Sequence, residues 1–134
     1  METIAVETGE REAVVDITGP VAEVVKRRVF RDGVLHIFCP HTTGAVAVNE
    51  GYDPAVRGDI LGIFRRLAPR DDPSYRHGED NADAHVKAVL VGNACAVPVA
   101  DGRLALGRWQ AIFFCEFDGP RRREVKLVFT RAAD

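Results

Sequence analysis

Apolar residues recur along this chain with two different periods, and the switches between them divide it into strands and helices. Thr3 to Thr8 alternates weakly and reads as an edge strand. A turn at Glu7-Thr8-Gly9-Glu10 leads to a second strand over Ala13 to Ile17. Gly19-Pro20 opens a helix with Pro20 at its first position, where a missing N–H costs nothing. Val21, Val24, Val25 and Val29 then fall on one helical face, and Arg31-Asp32-Gly33 ends the element.

Val34 to Cys39 alternates again. Leu35, Ile37 and Cys39 point one way, and Val34, His36 and Phe38 the other. Pro40 stops this strand. Gly44 to Asn49 is a second small-residue strand, close enough in sequence to pair with it. Asp53-Pro54 is a strong helix start, because Asp53 can cap free N–H groups and Pro54 fits the first turn. Val56, Ile60, Ile63, Phe64 and Leu67 keep helical spacing until Pro69. A long charged loop over Ala68 to Asp80 follows. Asn81 or Asp83 caps a third helix reaching Val91, with Gly92 as its stop.

The final third reads as β: Cys95 to Val99, Leu104 to Leu106, Ala111 to Phe117 and Val125 to Thr130, with turns at Asp101-Gly102 and Gly119-Pro120. The order is roughly ββαββααβββ. Strands adjacent in sequence and joined by short turns predict an α+β fold, an antiparallel β-sheet with segregated helices. The length of 134 residues predicts one domain over residues 1–134.

Composition narrows the function classes. A hydrophobic share of 46% supplies a packed core, and a net charge of -2 argues against a nucleic-acid binder. The densest basic run, Arg121-Arg122-Arg123, reads as a solvated turn. No apolar run approaches the ~20 residues that span a bilayer. Met1-Glu2-Thr3-Ile4 lacks a basic stretch followed by an apolar one, so no secretory signal is expected. Cys39, Cys95 and Cys115 are odd in number and widely spaced, which predicts reduced thiols and a cytoplasmic location. The chain has no GxxxxGK[ST], GxGxxG or GxSxG motif, which argues against P-loop, Rossmann and α/β-hydrolase chemistry.

The reactive residue types cluster in four islands: HTTGAVAVNE (His41 to Glu50), HGEDNADAH (His77 to His85), LGRWQ (Leu106 to Gln110) and EFDGPR (Glu116 to Arg121). This distribution predicts a polar site assembled from several loops. His41 precedes two hydroxyls, Thr42 and Thr43, at a corner that can bind an anion or hold a metal; equally, it can hydrogen-bond a turn. Only one of Asn49 and Glu50 can face a given cleft. His85 shares a helix face with Ala88, Val89 and Gly92, which points it inward, as a metal ligand, a base or a satisfied core histidine. Asn81 and Asp83 lie just upstream. His77 sits in the charged loop, where it can close over a ligand, and His36 reads as structural or surface. Glu116 ends an apolar row and needs a partner, for which Arg121 is the candidate. Arg121 is also a phosphate clamp. Trp109 and Gln110 offer a flat wall and an amide for a planar ring, or a core plug and its cap.

Taken together, the islands resemble the YjbQ family, also called UPF0047 or secondary thiamine-phosphate synthase. The carriers are HTTGAVAVNE with DPAVRGDI, YRHGEDNADAHVKA and VPVADGRLALGRWQAIFFCEFDGPR. The chain departs from the family pattern at Ala94, Arg108, Gly51-Tyr52 and Asp80. The resemblance implies an α+β fold and a homotrimer whose site can be shared between neighbouring chains. It implies a weak thiamine-phosphate synthase activity, joining hydroxymethylpyrimidine diphosphate to hydroxyethylthiazole phosphate with release of pyrophosphate. The expected catalytic residues are His41, His77, His85 and Glu116. Thr42, Thr43, Glu50, Asn81, Trp109, Gln110 and Arg121 are expected to bind substrate. A divalent cation, zinc or magnesium, would sit on His41, His85 and Glu116. The alternative is a non-catalytic homotrimer that binds a metal or a phosphometabolite.

Overall fold

The computed structural model describes residues 1–133. Two antiparallel sheets share the strands. β1 (Glu2–Glu7), β3 (Gly33–Phe38), β5 (Ala94–Ala100), β6 (Arg103–Leu104) and β8 (Arg122–Arg131) form a five-stranded sheet ordered β1-β8-β3-β5-β6. β2 (Ala13–Asp16), β4 (Gly44–Glu50) and β7 (Gln110–Glu116) form a three-stranded sheet ordered β2-β7-β4. The helices are α1 (Thr18–Arg27), α2 (Pro54–Leu67) and α3 (Ala82–Val91). The α+β class stands.

β7 explains the layering. Every residue from Ala111 to Glu116 is buried, as expected for a strand covered on both faces. Ile112 and Phe114 join the main core with Leu35, Ile37, Leu127 and the α1 valines Val21, Val24 and Val25. Ala111, Phe113 and Cys115 face the other way, onto Leu61 of α2 and Ala84 and Ala88 of α3. The small sheet thus lies between the large sheet with α1 and the α2–α3 layer.

Four sequence expectations change. β4 does not pair with β3; it runs against β7, while β3 lies between β5 and β8. The short loop from Cys39 to Thr43 crosses between sheets, because the partner that buries both faces of β7 is worth more than the nearest hairpin. α1 begins at Thr18 and ends at Arg27, so Val29 leaves the helical face: it has φ 52° and is exposed. On α2, Leu61 is the buried residue, whereas Ile63 and Leu67 are exposed. The inward face of α3 is Asp83, Ala84, Lys87 and Ala88, and Val89 is 82% exposed. Two caps fall where the sequence puts them, whereas Pro20 is the third residue of α1 and Asn81 precedes α3 without a side-chain capping bond. Asp53 Oδ1 accepts from the Ala55 amide at 2.9 Å, and Gly92 closes α3 with φ 103°. Among the described residues no helix is long and apolar enough to cross a membrane.

Candidate functional site

The reason for a cleft lies at the open end of the small sheet, where β4 starts and β7 finishes. Gly44 stands opposite Glu116 there. A Cβ on Gly44 would lie 2.5 Å from Phe114 Cζ, so only glycine lets the His41–Thr43 corner close onto β7. The first turns of α3 and the turn from β7 to β8 complete the rim.

Two lobes meet at His41, Thr42 and His85. One, ≈ 480 Å³, is walled by Gly44, Ala88, Val89 and Gly92 and is apolar. The other, ≈ 380 Å³, is polar and carries Asn81, Asp118, Arg121 and Arg123. His85 therefore faces a cleft and not the packed interior, because its helix face is the uncovered one. Its ring has no hydrogen-bond partner among the described residues and meets His77 edge to face at 5.1 Å. His77 lies behind it, with Nε2 3.7 Å from Glu79 Oε2.

Glu116 is fully buried, and its partner is Arg123 instead of Arg121. Arg123 Nε donates to Oε1 at 2.8 Å, and Nη2 donates to Oε2 and to Thr43 Oγ1, the latter at 2.8 Å. Glu116 also accepts from Thr8 Oγ1 at 2.8 Å and from the Asp118 amide at 3.1 Å. Burial would push this carboxyl up, but the Arg123, Asp118 and Thr8 hydrogen bonds prevail and hold it below its ordinary value. Glu116 and Thr43 are thus spent on fixing Arg123. Arg121 is half exposed and held by Asp118, through Nε to the carbonyl at 2.8 Å and Nη2 to the carboxylate at 3.2 Å. Asn81 Nδ2 donates to the same carboxylate at 2.8 Å, and its Oδ1 is buried without a partner.

His41 accepts a hydrogen bond on Nε2 from the Glu124 amide at 2.9 Å. Burial and the nearby charge of Arg123 hold its pKa below the ordinary imidazole value, which favours the neutral ring at neutral pH. With His41 Nε2 and both Glu116 oxygens engaged, the expected metal triad His41, His85 and Glu116 does not form. Among the described residues no three His, Cys, Asp or Glu side chains gather to hold a metal. Within one chain, His41, His85 and Glu116 are thus not arranged as a three-ligand metal centre.

The remaining candidates lie elsewhere. Glu50 and Gln110 face each other at the far end of β4 and β7, six residues or about 20 Å from Gly44 and Glu116. Glu50 accepts from the Tyr52 amide at 2.7 Å and the Asp53 amide at 3.3 Å, bracing the entry to α2. Gln110 Oε1 accepts from the Gly107 amide at 2.8 Å. Trp109 is no core plug: it is 48% exposed, stacks edge-on to the exposed Tyr52 at 5.0 Å, and lies under Arg108 at 4.7 Å. The four islands therefore form two sites in one chain.

Sequence reasoning missed Arg123, Asp118 and a buried charge network beneath α3. Asp83 takes Arg11 at 3.0 and 3.2 Å and Lys87 Nζ at 2.7 Å, and Lys87 also reaches Glu12 at 3.0 Å. The i, i+4 spacing of Asp83 and Lys87 was the available signal, and it ordinarily marks a solvated pair.

Comparison with known proteins finds one family over nearly the whole chain. The family model described as UPF0047 protein YjbQ-like matches residues 2–132. A UPF0047 protein of Methanocaldococcus jannaschii is 42% identical over 125 residues, 92% of this chain and 90% of that protein. The UPF0047 protein YugU of Bacillus subtilis is 42% identical over 123 residues, 92% of this chain and 93% of its own length. A Clostridium acetobutylicum crystal structure of the YjbQ/UPF0047 family superposes with a TM-score of 0.93 at 38% identity, covering 97% of this chain and all of that one.

Proposed function

The chain belongs to the UPF0047 protein YjbQ-like family, and from that premise we propose that its cleft binds a phosphorylated small molecule and catalyses a weak thiamine-phosphate synthase reaction. The carrying observation is the junction of a polar, arginine-bearing lobe with an apolar one at His41, Thr42 and His85. A phosphate fits the first lobe and a heterocycle the second.

The chemistry asks little of a base. The thiazole ring nitrogen of hydroxyethylthiazole phosphate attacks the methylene carbon of hydroxymethylpyrimidine diphosphate. A C–N bond forms, the C–O bond to the diphosphate breaks, and its electron pair leaves with pyrophosphate. The thiazolium product has no proton to lose. The charge that grows is on the leaving group, and cations aimed at it lower the barrier. Arg121 and Arg123 are the cations at hand. His85, whose ring has no hydrogen-bond partner among the described residues, supplies a proton to the departing oxygen. No step is routed through a metal.

Trp109 cannot reach this cleft within its own chain. A homotrimer with head-to-tail contacts would bring a neighbour's Trp109 and Tyr52 against the open apolar lobe, where Val89 is exposed. Exposed aromatic and aliphatic surface at both ends supports that arrangement.

The alternative is a non-catalytic homotrimer that binds a metal or a phosphometabolite. It is favoured by one observation: Glu116, Thr43 and His41 Nε2 are all committed to internal bonds. Both substrates are to be incubated with the protein and pyrophosphate release followed by phosphorus NMR. Release that needs both substrates and disappears in His85→Ala and Arg121→Ala supports the enzyme. Binding without release favours the alternative, and neither binding nor release overturns both.

A further inference from the structure

The polar lobe has a second layer of information, carried by which nitrogen atoms remain free. The Glu124 amide donates to His41 Nε2. A nitrogen that accepts cannot carry the proton, so the neutral ring holds it on Nδ1. A metal ion on Nδ1 would have to expel that proton while Nε2 stays unprotonated, which leaves an imidazolate. His41 is built as a donor.

Arg123 is arranged in the same way. Nε and Nη2 are taken by Glu116 and Thr43, which fixes the guanidinium plane. Nη1 has no hydrogen-bond partner among the described residues. Among the described residues the buried unpartnered side-chain atoms are Arg11 Nε, Arg57 Nε and Asn81 Oδ1, and neither His41 Nδ1 nor Arg123 Nη1 is one of them. Both residues line the polar lobe. Neither nitrogen is fully buried, although Arg123 as a whole is 2% exposed.

We propose that the polar lobe recognises its ligand through these two preset donors, His41 Nδ1–H and Arg123 Nη1, and that the group they fit is a phosphate or diphosphate bound directly by the protein without a bridging metal ion. The inference rests on the phosphometabolite reading above and sharpens it. Two rigid donors suit an anion with several acceptor oxygens, and a charge-assisted bond from a locked guanidinium needs little reorganisation. Arg121, tethered only to Asp118 at the rim, adds charge but not direction.

The test is a histidine-ring nitrogen–proton correlation spectrum of EDTA-treated protein at neutral pH, titrated with inorganic pyrophosphate. His41 is expected as the Nδ1–H tautomer, with Nδ1 shifting on saturation and Nε2 staying an acceptor. Arg123→Lys keeps a cation for Glu116 but loses Nη1. It should weaken pyrophosphate binding about tenfold or more, with melting as a check of the fold. If that variant does not fold, the wild-type spectrum decides alone. An Nε2–H tautomer, an unmoved Nδ1 at saturation, or binding only after magnesium or zinc is added overturns the proposal and leaves the phosphometabolite reading standing. No pyrophosphate binding under any of these conditions removes both.

Discussion

Arg123 turns back across the β7–β8 turn to hold Glu116, its Nε 2.8 Å from Oε1, with both side chains buried. A buried pair of this kind is costly to break, because the survivor keeps its charge without compensation. Glu116→Gln is expected to destabilise the protein by about 3 kcal/mol, measured by urea unfolding. Loss of less than about 1 kcal/mol would mean that Arg123 finds another partner or leaves the interior.

Stability should fall steeply in acid. Asp83 and Glu116 both titrate below their ordinary values of 3.8 and 4.5, because arginine and lysine hydrogen bonds outweigh burial. A carboxylate depressed in the fold contributes stability that is complete above its unfolded value and is lost as pH falls through the folded one. The melting temperature is therefore expected to hold from neutral pH down to the ordinary carboxylate range and to drop below it. In Asp83→Asn the protein should be less stable at neutral pH and its acid slope shallower. A slope identical to wild type would remove Asp83 from the cause.

Gly44 has no room for a methyl group, since its Cβ would sit 2.5 Å from Phe114 Cζ. Gly44→Ala should cost about 1–3 kcal/mol and disturb the His41 corner. Gly58, with nothing within 4 Å of its Cβ position, is the control: Gly58→Ala, in the interior of α2, should stabilise by a few tenths to about 1 kcal/mol. Paired melting curves check both.

Trp109 and His85 lie at opposite ends of one chain, so a shared site between neighbours makes a distinctive forecast. Trp109→Ala should change monomer stability little, because the ring is half exposed. Each of Trp109→Ala and His85→Ala alone should lose activity or ligand binding. Unfolding the two variants together and refolding them should restore part of it, since some mixed oligomers regain one intact junction. No recovery in verified mixed oligomers would place the working site within a single chain.

The sequence determined the parts that depend on near neighbours along the chain. Asp53-Pro54 starts α2, Gly92 ends α3, and the alternation of Leu35, Ile37 and Cys39 sets the buried face of β3. These follow from backbone geometry and from periods of two to four residues. The polar islands, and the family they carry, were legible for the same reason. What only the tertiary structure decided was which distant elements meet. Arg121 and Arg123 have the same strand parity, so pattern alone could not choose the partner of Glu116; the turn geometry aims Arg123 inward and Arg121 at Asp118. Asp83 and Lys87 look like a solvated helical pair until Arg11 and Glu12 arrive from 72 and 75 residues away to bury them. The single expected site became two because β4 pairs with β7 along its whole length, and seven extended residues keep the His41 and Trp109 ends apart.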